Sequence, residues 1–90
     1  MPLNFPNQSR SYDSRKLCIR FWAHDASLEI PFFVEVDALR RMDPEATADE
    51  PGLLKVFDCN RERIFVAASR IYARHRRGSY TLTASDVVQS

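Results

Sequence analysis

The chain has 90 residues, of which 44% are hydrophobic, 28% charged and 11% aromatic. That is enough for a single domain over residues 1–90 with one modest core, and too apolar for wholesale disorder. The net charge of +1 excludes a strongly basic nucleic-acid tail, and no apolar run approaches the roughly 18 residues of a membrane span. The opening MPLNFPNQSR lacks a basic stretch followed by an apolar one, so no secretory signal is read there. The expected compartment is therefore the cytoplasm, with Cys18 and Cys59 reduced.

Residues 1–8, with Pro2, Pro6 and Asn7, read as an extended arm carrying Leu3 and Phe5. SRSYD follows, with Asp13-Ser14 as a turn signal. From Lys16 to His24, Leu17, Ile19 and Phe21 alternate with Cys18, Arg20 and Trp22, the two-residue period of a strand. A short polar break at 25–27 predicts a hairpin. The next run puts Leu28, Ile30 and Phe32 on one face and Glu29, Pro31 and Phe33 on the other. Pro31 has no backbone donor, which predicts a sheet edge or a bulge.

The period then lengthens. Val36, Leu39 and Met42 predict a short helix ending before Pro44. An acidic loop at 43–52 leads to one long helix over Leu53 to Arg77, with Pro51 near its start. Thr47 and Glu50 offer an earlier start as a capping box. Leu53, Phe57, Ile64, Ala68 and Ile71 form its apolar stripe. Gly78 suits a helix terminator, and SYTLT predicts a last short strand.

The order is β-β-β-α-α-β. It implies an α+β fold, a small antiparallel sheet of about three or four strands with the long helix laid over one face. The face bearing Leu17, Ile19, Phe21, Leu28, Ile30 and Phe32 is expected to meet that helix. Trp22 and Phe33 fall on the other.

Several segments in this order resemble the DUF1488 family of small bacterial proteins. They are LNFPNQSRSYD, IRFWAHD, EIPFFVEVDALRRM, FDCNRERI and GSYTLTASDV, spanning Leu3 to Val87. The resemblance implies a small, mainly proteobacterial, cytosolic protein with no assigned activity, cofactor or catalytic residue. Pro31 departs from the ladder-forming residue expected in the third strand.

Two surfaces carry chemistry. At 100° per residue Arg63, Arg70, Arg74 and Arg77 share one flank of the long helix, about 110° from its apolar stripe. They can solvate the helix end, meet acidic protein, or grip nucleic acid weakly through a few phosphates. Trp22 and Phe33 can anchor a protein partner or a second copy, unless the N-terminal arm folds over them through Leu3 and Phe5.

Metal binding is not expected, because Cys18, Cys59, His24 and His75 each stand alone in their segments. No cofactor and no catalytic motif is read. GxSxG, HExxH and a glycine-rich phosphate loop are all missing from a chain whose only glycines are Gly52 and Gly78. The expected function is that of a non-catalytic protein-interaction or accessory module. Trp22 and Phe33 are its anchors, and Arg70, Arg74 and Arg77 its polar contact. The alternative is a weak nucleic-acid-binding or regulatory protein using Arg63, Arg70, Arg74 and Arg77.

Overall fold

The alternation around the polar break folds as a hairpin with a two-residue turn. The computed structural model describes residues 3–5, 10–74 and 80–88. In it, β2 (Cys18–Asp25) and β3 (Leu28–Glu35) pair antiparallel along their full length across Ala26-Ser27. Ala26 takes a left-handed φ of 56° to make the turn. β1 (Arg10–Asp13) adds antiparallel to the free side of β2. β4 (Tyr80–Leu82) adds to β3, giving the order β1-β2-β3-β4. Between β3 and β4 the chain forms α1 (Val36–Met42), α2 (Glu50–Cys59) and α3 (Arg61–Arg74), and α4 (Ala84–Val88) follows β4.

The α+β class is as expected, and three details are corrected. The sheet is mixed, because β4 runs parallel to β3. A parallel neighbour needs a long crossover, and the three helices between Glu35 and Tyr80 supply it. The long helix is two helices. Asn60 (φ −122°, ψ 25°) turns its side-chain amide back onto the Val56 carbonyl at 2.9 Å, while its own carbonyl accepts from Ile64 N–H at 3.0 Å. One residue thus ends α2 and begins α3, as asparagine does when it competes for local backbone groups. The described order also gains a helix, α4, capped by Thr83 and Asp86. The Asp86 carboxylate accepts from the Thr83 N–H at 2.8 Å and from its hydroxyl at 3.0 Å.

α2 starts at Glu50, earlier than Leu53, and its cap is Asp49, not Thr47. The Asp49 carboxylate accepts from Gly52 N–H at 3.0 Å and from the Thr47 hydroxyl at 2.7 Å. These bonds, the hydroxyl's first, hold its carboxyl below the ordinary aspartate range. Gly52 is required because the loop passes so close. A Cβ there would stand 2.1 Å from Thr47 Oγ1 and 2.5 Å from the Thr47 carbonyl oxygen.

The core lies between the sheet and the helices. Ile19, Phe21, Ala23, Ile30, Phe32 and Val34 of β2 and β3 are buried with Leu39, Leu53, Phe57, Ile64, Ala68, Leu82 and Val87. Phe21 links the layers, with ring centres 5.5 Å from Phe32 and 5.2 Å from Phe57. In α3 the bend brings Tyr72 inside while Ile71 is half-buried. Two residues of the expected inner face are outside. Leu17 is 57% exposed in the β1–β2 turn, where it takes a left-handed φ of 52°. Leu28 is 63% exposed at the hairpin end.

Pro31 sits on an edge for half of its strand. Val36 N–H donates to the Leu17 carbonyl at 3.0 Å, so the mutually bonded pairs fall on odd positions of β2. Trp22 and Pro31 are then a non-bonded pair, and the proline nitrogen faces away from β2. Among the described residues β4 pairs with Phe32, Phe33 and Val34, so no ladder bond between described residues is lost at Pro31.

Arg10 ties β1 to α2 by two bonds to Asp58, from Nε at 3.0 Å and Nη2 at 2.8 Å, and Arg61 adds a third at 2.9 Å. The Arg10 hydrogen bond foremost holds the Asp58 carboxyl below its ordinary value against the opposing effect of burial, and Arg61 adds to the lowering. Among the described residues no helix is long and apolar enough to cross a membrane.

Two outcomes are expected in urea denaturation. Gly52→Ala loses about 1–3 kcal/mol, the cost of forcing atoms into filled space. Asp58→Asn loses well under 1 kcal/mol at neutral pH, because the pair is solvent-exposed. Since folding lowers the Asp58 pKa, its contribution is present above the unfolded value of about 3.9 and is lost as pH falls through the folded one. The difference between wild type and Asp58→Asn therefore closes on acidification from about pH 4 downward.

Candidate functional site

The hairpin register decides what the outer face of the sheet presents. With Asp25 opposite Leu28, Arg20 faces Phe33, Trp22 faces Pro31 and His24 faces Glu29. These side chains point away from the helices, because Ile19, Phe21, Ala23, Ile30, Phe32 and Val34 point toward them. Trp22 and Phe33 are half-buried, yet neither belongs to the core cluster nor packs against it.

Their partners on the face are cations. The Arg20 guanidinium lies 5.0 Å from the Trp22 ring centre and 5.9 Å from that of Phe33. Lys16 Nζ lies 5.7 Å from the Phe33 ring. All three distances are within reach of a cation–π attraction. At the other end His24 Nε2 is 3.9 Å from Glu29 Oε2. Beside Phe33 the β1–β2 turn encloses a shallow cleft of about 420 Å³, lined by Ser11, Asp13, Ser14, Arg15, Lys16 and Arg20 among others.

The N-terminal arm takes another path. Asn4 and His24 exchange backbone bonds of 2.9 and 2.7 Å at the edge of β2. Leu3 enters the core, and Phe5 stacks on Phe65 of α3 with ring centres 4.0 Å apart. Leu3 and Phe5 thus serve the helix side and leave Trp22 and Phe33 to Arg20 and Lys16.

The expected polar contacts are on a different surface. Arg63, Arg70 and Arg74 are exposed on α3 together with Val66. α3 turns Ile64, Ala67, Ala68 and Tyr72 toward the sheet's inner face, so these arginines do not join the Trp22–Phe33 face. Arg77 lies outside the described residues, as do His75 and Gly78. Arg20 and Lys16 are not among the site residues that residue type and spacing single out. Their signal was present in the hairpin, where a two-residue turn after Asp25 places Arg20 opposite Phe33.

Three of the four metal-ligand candidates, Cys18, His24 and Cys59, fall within the described residues. Cys18 and His24 are six positions apart on β2, about 20 Å of strand, and Cys59 is on α2. Among the described residues no three of His, Cys, Asp and Glu gather.

A family model described as a protein of unknown function, DUF1488, matches residues 3–83, so the chain belongs to that family. Its fold is similar to that of a crystal structure of a protein of unknown function from the DUF1488 family of Shewanella loihica PV-4. The TM-score is 0.78 at 18% identity, covering 89% of this chain and 90% of that one. The comparison with curated proteins yields no match.

The two thiols report the packing independently. Cys18 is 4% exposed, and burial foremost, with Asp13 adding, pushes its thiol up; Cys59 is exposed. With a disulfide reagent at about pH 8, Cys59 is expected to react in the native protein and Cys18 only after denaturant is added. Two equivalents reacting at one fast rate would show that the outer end of β2 is open.

Proposed function

We propose that this member of the DUF1488 family is a cytoplasmic, non-catalytic binding module that docks a macromolecular partner on the outer face of its sheet. Trp22 and Phe33 are the anchors. The observation that carries this reading is that both rings lie outside the core and are faced by cations on the same side of the sheet. Amphipathic aromatics held this way give large contact area at low entropy cost. Arg20 and Lys16 take the polar part first assigned to Arg70, Arg74 and Arg77. A nucleic-acid site on the α3 flank has less support. Arg63, Arg70 and Arg74 spread over about 16 Å of helix, with Val66 exposed among them.

Trp22 is the only tryptophan in the chain, so its emission reports this face alone. Acrylamide is expected to quench the native protein at a sizeable fraction of the rate seen in denaturant. The Trp22→Ala, Phe33→Ala double variant is expected to lose about 1 kcal/mol or less of stability per site, where Phe21→Ala loses about 3–5. A protected tryptophan, or core-sized losses from the double variant, would return these rings to the core and remove the docking surface.

A further inference from the structure

The buried centre of a protein interface accepts arginine but is depleted of lysine, and this face sets a lysine beside its arginine. Arg20 stands between its two rings and Lys16 over one of them. The large apolar side chains most exposed among the described residues, Leu17, Leu28 and Val66, lie outside the Trp22–Phe33 row. A protein partner or a second copy would have to bury Lys16 with Arg20 to reach the aromatics. A ligand that alternates flat π surfaces with negative charge meets both groups at once, and single-stranded nucleic acid does so at every nucleotide.

The geometry fits such a ligand. Trp22 and Phe33 stand on β2 and β3, the two central strands of the four. They are in diagonal register, since Trp22 faces Pro31 and Arg20 faces Phe33. Diagonal positions are about 7–8 Å apart, so two successive splayed bases can each take one ring. The Arg20 plane offers a further stacking surface. The cleft beside Phe33 adds Arg15 to Lys16 and Arg20 as phosphate partners.

The acids of the face are occupied or terminal. Asp13 Oδ1 accepts from the N–H groups of Arg15 at 2.9 Å and Lys16 at 3.2 Å. Glu29 sits beside His24 at the hairpin end, and Glu35 pairs with Cys18 at the end of β3. Ser11, Asp13 and Ser14 line the cleft, residues of a type that can bond a sugar hydroxyl, which favours RNA over DNA.

We propose that the outer sheet face binds single-stranded RNA. Its bases stack on Trp22 and Phe33, and its phosphates lie at Arg15, Lys16 and Arg20. This rests on the docking surface inferred above and names its partner.

The test is a titration of the full chain with a short labelled oligouridylate, followed by anisotropy and by quenching of Trp22. Three cationic contacts on a single strand give a log–log salt slope near −2, so affinity should fall about 20-fold between about 50 and 200 mM salt. Phe33→Ala should weaken binding about tenfold or more, while the Arg63→Glu, Arg74→Glu variant should bind as wild type does. Loss of binding in that variant would move the site to the α3 flank and overturn the proposal. So would equal quenching by polyglutamate, which points to an acidic protein, or equal affinity for oligothymidylate, which removes the preference for RNA. A quench that grows with protein concentration alone would identify a second copy as the occupant instead. No oligouridylate binding at low salt, with Trp22 open to acrylamide, overturns the RNA assignment and leaves the docking surface standing. Trp22 closed to acrylamide removes both.

Discussion

The pairing of Asp25 with Leu28 across Ala26-Ser27 is the constraint from which the rest of the structure follows. It fixes each later pair of β2 and β3, and the bond from Val36 N–H to the Leu17 carbonyl shows the same register holding to the far end. Because side chains alternate with a period of two, a slip of one residue would reverse one strand's faces relative to its partner. Were β3 to slip against β2, Phe32 would turn to water and Phe33 would meet the helices. The core and the candidate site are therefore two consequences of one turn. The left-handed Ala26 costs about 1–2 kcal/mol relative to glycine, small beside the burial of two phenylalanines.

Burial also decides on which side the helices lie. Phe21, Phe32 and Phe57 are almost wholly buried. At about 150–250 Å² each and about 25 cal/mol per Å², each contributes roughly 4–6 kcal/mol by area. The exposed Arg10–Asp58 pair contributes no more than about 1 kcal/mol. Its part is alignment, holding β1 against the α2 end of the helix layer. Tyr72 does the same from α3, its hydroxyl donating to the Asp25 carboxylate beside the turn. Phe5 on Phe65 draws the arm to that side as well. With the arm's two apolar anchors in the inner layer, neither is left to shield the outer one.

Period and turn chemistry made the hairpin, α1 and the apolar spacing of α2 and α3 readable from residues alone. Phe21, Phe32, Phe57 and Ile64 all fell on the faces they occupy. What stayed illegible depends on groups distant in sequence. The bend at Asn60 leaves the hydrophobic period nearly intact, and one asparagine within a helical pattern is an ordinary occurrence. The direction of β4 is set by where three helices deliver the chain, and three residues of alternation hold no sign of it. Thr83 and Asp86 did carry a local signal for α4, but one with aspartate in place of the usual Glu or Gln. At the site, Trp22 and Phe33 stood out by residue type, while Arg20 and Lys16 required the register. Arg63, Arg70 and Arg74 drew notice as a charge cluster, although the fold puts them on the other layer.

An uncovered aromatic pair on a sheet is ordinarily a liability for association, and the cations change that balance. Arg20 and Lys16 hold their charged heads over the rings, so the face shows water a hydrated cation beside the π surface. At an exposed site each such contact is worth about 0.5–1 kcal/mol, far less than a buried phenylalanine contributes. The covering is thus weak enough for a competing ring to displace. Once displaced, Arg20 remains tethered beside Trp22 on β2, near any negative charge that the ring carries with it. Under the proposed reading, a face built this way favours ligands that bring an aromatic plane and a negative charge together.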